Sequence, residues 1–238
     1  MSEMNSVIPL VDIHTHGVLS SASEKNIVVF AESPGLIKRP PSYQGLYTFG
    51  FHPWCADRVE LEGTIEKEFK ARLGDPKLLA FGEMGLDRAC QIDFEMQRKI
   101  FIAQVEICTQ LRTPLIVLHC VRAHSDIMGI LKRSHFEGAI LFHDFNGDKA
   151  VMKQLSTLKN EVLFSLGANL FRSNSAVVNH LSLLPLDKIF LETDDCTRSI
   201  AEVYQRFALL SEQKLPQVTE AIYRNFKRVF PMLWGKVL

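Results

Sequence analysis

The sequence predicts a (β/α)8 barrel of the TIM type, and three observations carry that prediction. Eight short apolar runs recur along the chain, most are followed by a stretch with helical periodicity, and imidazole and carboxylate residues cluster just after the runs. In a barrel those strand ends converge on one face, which is where reactive groups gather.

The runs, in order, are VIPLVDI, NIVVF, LYTFGF, LLAFG, PLIVLH, GAILFH, VLFSL and KIFLE. They are nearly continuous in apolar character rather than alternating, which suits parallel strands covered on both faces. After the third run, residues 57–73 place Val59, Leu61, Ile65, Phe69 and Leu73 at helical spacing. After the fourth, residues 91–111 carry Ile92, Met96, Ile100, Ala103 and Ile107 in a stripe of period near 3.6. One interval breaks the rhythm. Between the second and third runs lies AESPGLIKRPPSYQG, and its prolines remove donors and clash within a helix. The helix after the second strand is therefore expected to be missing over residues 32–45.

With 238 residues, 47% of them apolar, the chain can bury a substantial core, and a single barrel domain spanning 1–238 is expected. Lys plus Arg and Asp plus Glu are both 27, so the net charge is zero and bulk electrostatics name no nucleic-acid or membrane partner. The five cysteines (Cys55, Cys90, Cys108, Cys120, Cys196) are odd in number and form no CxxC pair, which speaks against a disulfide framework. No basic leader and no membrane-length apolar stretch stands out, so a cytoplasmic protein with no obligate protein partner is the expectation.

The chemistry lies at the strand ends. His14 and His16, two apart in DIHTH, point to the same side of an extended segment. Glu83 follows LLAFG, His119 ends PLIVLH, His143 ends GAILFH and Asp194 follows KIFLE. Alone, each is more often a hydrogen-bonded structural residue. Six at corresponding ends of five strands read as one metal site, with imidazole and carboxylate donors that suit zinc, magnesium or manganese.

The segments VDIHTH, YTFGFHPW, FGEMGLDR, PLIVLHCVRAHSDIMGIL, ILFHDFNGD, FSLGANLF, LDKIFLETDDC and YRNFKRVF resemble, in order and from end to end, the TatD-like metal-dependent hydrolases of the amidohydrolase superfamily. The resemblance implies one or two divalent ions: His14 and His16 on one, His119 and His143 on the other, Glu83 bridging, and Asp194 binding metal and taking the proton of the attacking water. It also puts His52 and Arg122 where a substrate phosphate is contacted. It implies a phosphodiesterase or deoxyribonuclease-like hydrolase acting on a nucleic-acid end or a small phosphodiester. The alternative is a metal-dependent hydrolase of a small-molecule ester, amide or lactone, and a degenerate binding protein is opposed by the intact ligand set. Departures fall at Gly17-Val18, Arg88-Ala89, Asn146 and Asp195-Cys196, positions that bear on specificity. The basic clusters Lys38-Arg39, Lys132-Arg133 and Arg224 with Lys227-Arg228 read as solvated surface. Cys120 and Cys196 adjoin ligand positions and read as inert packing.

Overall fold

The structure, a computed structural model, describes residues 8–17, 26–60 and 63–231. Val18 and Leu61 lie outside the described residues. Eight parallel strands follow one another in sequence order around a single sheet: β1 (Val11–Thr15), β2 (Ile27–Glu32), β3 (Leu46–Phe49), β4 (Leu78–Asp87), β5 (Leu115–Val121), β6 (Ala139–Phe142), β7 (Val162–Leu166) and β8 (Ile189–Leu191). The sheet closes where β1 meets the chain just past β8. Thr15 and Asp194 form a parallel bridge, His16 N donates to Asp194 O (3.0 Å) and Asp194 N donates to His14 O (2.9 Å). Consecutive parallel neighbours joined by outer crossovers make the barrel.

The eight apolar runs are the eight strands. The helices are α1 (Thr64–Lys70), α2 (Phe94–Gln110), α3 (His124–Ser134), α4 (Lys149–Leu155), α5 (Ala176–Asn179), α6 (Ile200–Leu210) and α7 (Leu215–Val229). The stretch expected to be helical over 57–73 is shorter than its periodicity suggested. Pro53–Arg58 is a tight 3-10 turn, and α1 begins only after Gly63, whose φ of +77° no side-chain-bearing residue adopts comfortably. In α2 the Asp93 carboxylate accepts from Met96 N (2.8 Å) and sets the start.

No helix follows β2. Residues 33–45 turn back through a Ser33–Ile37 bridge, and Tyr43 packs on Phe30 at 5.6 Å, its hydroxyl 2.8 Å from Val28 O and 3.0 Å from Leu46 O. One tyrosine covers part of what a crossover helix would cover.

Polar clamps from the outer helices fix the strand ends. Gln104 of α2 holds Phe51 by both its backbone groups (2.8 and 3.0 Å), and Gln97 holds Asp87 in the same way (2.8 and 3.1 Å). Asn225 of α7, from the RNF segment, donates to Leu186 O and Ile189 O at 2.8 Å each and sets the start of β8. Tyr204 of α6 accepts from Val11 N (2.9 Å) and lies 3.1 Å from Val11 O, tying a C-terminal helix to the first strand.

Candidate metal centre

The site is assembled around Glu83. LLAFG does not end its strand there, as its composition suggested. β4 runs on to Asp87, and Glu83 lies in its middle. The pairing slips one residue at this point: Phe81 faces Ile116 while Met84 faces Leu118, so three steps on β4 match two on β5. Two glycines permit the approach. Gly82 and Gly85 sit at φ +135° and +150°, and a Cβ on Gly85 would collide with the His119 carbonyl. Beyond the slip, Glu83 and Asp87 are four apart, and both reach the barrel mouth.

Each oxygen of Glu83 meets its own set of nitrogens. Oε2 lies 3.3 Å from His14 Nε2 and 3.2 Å from His16 Nε2, and Asp194 Oδ1 lies 3.3 Å from that same His16 nitrogen. Oε1 lies 2.6 Å from His119 Nδ1, 2.6 Å from His143 Nε2 and 3.0 Å from His52 Nε2. The six expected residues thus lie in one cluster. Among the described residues, the donor atoms of His14, His16 and Asp194, of His14, Glu83 and His143, of His52, Glu83 and His119, and of His143, Glu192 and Asp194 each lie close enough together to surround a cation.

The backs of the rings decide what each presents to the centre. His16 Nδ1 faces Ala31 O (3.1 Å), so it carries the proton and Nε2 is left as a lone pair. His143 Nδ1 faces the Glu192 carboxylate (3.4 Å) and His119 Nε2 faces Asp87 (3.3 Å), so their inward nitrogens are free to ligate. His52 is the reverse. Its Nδ1 accepts from Trp54 N (3.1 Å), which puts the proton of the neutral ring on Nε2. His52 therefore enters the cluster as a donor.

Such a cluster fits a divalent cation. Among the described residues, His14 Nδ1 and Nε2 and Glu83 Oε2 are buried and make no hydrogen bond, while His119 Nδ1 stands 3.0 Å from His143 Nε2. Converging lone pairs in a dry site need a positive charge between them. Burial opposes ionisation of Glu83, yet the surrounding imidazoles, His143 and His52 foremost, hold it well below the usual carboxylate range. Burial, with Glu192 and Glu83 nearby, pushes Asp194 up to about 7, against the pull of His143. Burial, then His143, lowers His14 to about 4, whereas His143 is raised well above its ordinary value because Glu83 and Glu192 outweigh its burial.

Arg122 is exposed just past β5, held at φ +53°, with no ion pair or hydrogen bond among the described residues. Arg88 is also at the rim but engaged: it pairs with Asp126 (2.9 Å) and lies over Phe94. Asn146 Oδ1 accepts from Ser175 Oγ (3.0 Å) and Val177 N (3.1 Å), so this departure orders the segment after β7. All five cysteines are free, and burial pushes the Cys120 thiol up to about 12, in keeping with inert packing. No helix among the described residues is long and apolar enough to cross a membrane.

Sequence reasoning passed over Asp12, Asp87 and Glu192, though all three stand in the quoted motifs. Glu192 accepts from Asp144 N (2.7 Å) and from Ser165 Oγ, and Asp12 holds Thr193 through its N (2.9 Å) and Oγ1 (2.7 Å). Strand parity was the available signal: Asp12 is two before His14, and Glu192 is two before Asp194.

Against this geometry, residues 30–231 match the family model described as TatD related DNase. The chain belongs to the TatD family. The model begins at Phe30, so the HxH pair of β1 lies outside the matched stretch. Among TatD relatives, the human 3'-5' RNA nuclease TATDN2 is 33% identical over 150 residues, which are 61% of this chain and 19% of that protein. A 3'-5' ssDNA/RNA exonuclease TatD from Escherichia fergusonii is 27% identical over 62% of this chain and 56% of its own length. An uncharacterized metal-dependent hydrolase of Methanocaldococcus jannaschii is 22% identical over 94% of this chain and 97% of its own. The chain thus spans about a fifth of the human nuclease and just over half of the bacterial exonuclease. The TatD homologue YJJV of Escherichia coli superposes with a TM-score of 0.78 at 19% identity, covering 95% of this chain and 99% of that one. An uncharacterized amidohydrolase of Saccharomyces cerevisiae gives 0.76 at 13%, covering 94% and 100%. These two share the fold.

Proposed function

We propose that this single barrel domain is a divalent-metal-dependent phosphodiesterase that acts on single-stranded nucleic-acid ends or small nucleotide-like phosphodiesters. The observation that carries the reading is the division of Glu83, one oxygen facing His14 and His16 with Asp194, the other facing His119 and His143. A carboxylate placed between two donor groups suits two cations, and four imidazoles favour zinc over magnesium or manganese. Divalent ions held there would polarise a phosphoryl oxygen and lower the pKa of a bound water.

The protein's own groups supply the rest. Asp194, whose Oδ1 lies 3.3 Å from His16 Nε2 at the edge of the cluster, is the carboxylate placed to receive the proton of the attacking water. The Arg122 guanidinium, without an ion pair or hydrogen bond among the described residues, is a donor for the phosphate oxygens, and His52 Nε2–H, now 3.0 Å from Glu83 Oε1, would join it only where a cation takes that oxygen. Asp87 and Glu192 hold the His119 and His143 rings in their ligating tautomers. The relatives named as nucleases for single-stranded DNA or RNA support this substrate class.

Metal analysis of the purified protein, combined with a panel of single-stranded DNA, RNA, model phosphodiesters and small esters, amides and lactones, tests the reading. Metal-dependent cleavage of a phosphodiester is the expected result. Efficient cleavage of esters, amides or lactones without any phosphodiester would replace it with the small-molecule alternative.

A further inference from the structure

Trp54 is 46% exposed although its neighbours Pro53, Cys55 and Ala56 are buried. An exposed apolar side chain is ordinary by itself. This one is unusual in being fixed at the lip of the proposed metal centre. Its indole N–H donates to Asp87 Oδ2 (2.7 Å), the same oxygen that lies 3.3 Å from His119 Nε2. Its ring stands 4.9 Å from His52, nearly perpendicular, and 6.0 Å from His119. The backbone beneath is fixed too, because Gln104 clamps Phe51 and His52 caps the turn that carries the indole.

A cation stands on the same rim. Asp87 pairs in register with Val121, and Arg88 N donates to Val121 O (3.0 Å), so Arg122 follows directly on the strand beside the indole's anchor. Arg88, the other guanidinium there, is already engaged by Asp126. The rim therefore offers a preset aromatic surface and, in Arg122, a positive charge uncommitted among the described residues, which match the base and the phosphate of a nucleotide.

We propose that Trp54 is the platform on which a terminal base of the strand stacks, with Arg122 taking an adjacent phosphate, so that specificity rests on a base at the end rather than on the phosphodiester alone. The inference rests on the nucleic-acid reading above and adds the group that recognises the substrate. A flat π-surface selects for a base without reading which base it is, so binding should be tolerant of sequence.

The test uses the metal-loaded protein and a single-stranded hexathymidylate with cleavage-resistant phosphorothioate linkages, beside two such probes of equal length that carry an abasic residue at one end or the other. The wild type is expected to bind the intact strand roughly tenfold more tightly than at least one abasic strand. Binding should quench the indole emission, and Trp54→Phe, which leaves Trp234 as the only tryptophan of the sequence, should lose that quench. By anisotropy of a labelled strand, Trp54→Phe should stay within roughly threefold of the wild type, because a phenyl ring still stacks. Trp54→Ala should bring the intact and abasic strands to the same affinity. Equal binding of all three strands by the wild type, or no binding of hexathymidylate, would overturn the inference. So would equal weakening of intact and abasic strands by Trp54→Ala, since a structural role moves both alike. Cleavage of unmodified strands by the metal-loaded wild type is scored separately: binding that depends on the base without cleavage of any unmodified strand sinks the nuclease reading and leaves the platform standing.

Discussion

Asp194 carries the heaviest chemical demand of any single residue. It sits in a buried, carboxylate-rich corner that raises it to about 7, and its Oδ1 lies 3.3 Å from His16 Nε2. Asp194→Asn keeps the shape but cannot accept a proton, so turnover should fall roughly a hundredfold or more, with little change in the circular-dichroism melt. A variant retaining the wild-type rate at saturating metal would show that another group is the base. A second expectation concerns metal uptake. In the metal-free protein Asp194 is raised, and His143 and His119 are raised above the ordinary histidine value. A group with a raised pKa holds its proton to higher pH, and each must shed that proton before it ligates. Metal affinity should therefore increase from pH 6 to pH 8, with protons released on binding. Titration calorimetry at pH 6.5 in buffers of different ionisation enthalpy reads this directly, and a buffer-independent heat would contradict it. That these six residues would cluster was legible because parity and strand-end position are written in the sequence. What sequence could not give was which ring nitrogen faces inward, since Ala31 O, Asp87, Glu192 and Trp54 N reach those rings only through the fold.

At the level of elements, the strands were legible because apolar runs covered on both faces have few alternative readings. The proline-rich interval after β2 was legible for a steric reason, and a turn stands there. Helix limits were less so: the apolar spacing over 57–73 continues across Gly63, where the backbone turns left-handed. Nor does composition show that β4 passes through Glu83 to Asp87, because two glycines inside a strand look like its end. Those glycines carry a testable consequence. Gly85→Ala would drive a methyl group into the His119 carbonyl at φ +150°. It should cost about 3 kcal/mol of stability, read as a lower urea midpoint. An unchanged midpoint would mean that β4 and β5 yield more easily than their packing implies.

For the whole molecule, zero net charge bears on what can approach. Non-specific affinity for duplex DNA grows with the number of phosphates neutralised, and this surface offers small, separated basic clusters, several already paired: Arg39 with Glu32, Arg224 with Glu220 and Arg228 with Glu161. A 20-base-pair duplex should bind roughly tenfold more weakly than the corresponding single strand at 150 mM salt. Comparable affinities by anisotropy would point to a basic track not apparent in these pairs.

The place where the barrel closes has a meaning of its own. Among the described residues its backbone seam is one bridge, between Thr15 and Asp194, backed by the Asp12 carboxylate on Thr193; of the groups flanking it, His14 and His16 face Glu83 Oε2, and Asp194 lies 3.3 Å from His16. A cation there would act as a clasp, fastening the first strand to the end of the last and turning an open ribbon into a hoop. The reagent for catalysis would then also be the fastener of the architecture, and starving the protein of metal would loosen the hoop at its buckle before anywhere else. Hydrogen exchange with and without chelator should show the amides of His16 and Asp194 losing protection first, while those of β5 and β6, across the ring, keep theirs. Uniform loss around the barrel would mean that the hoop holds without its clasp.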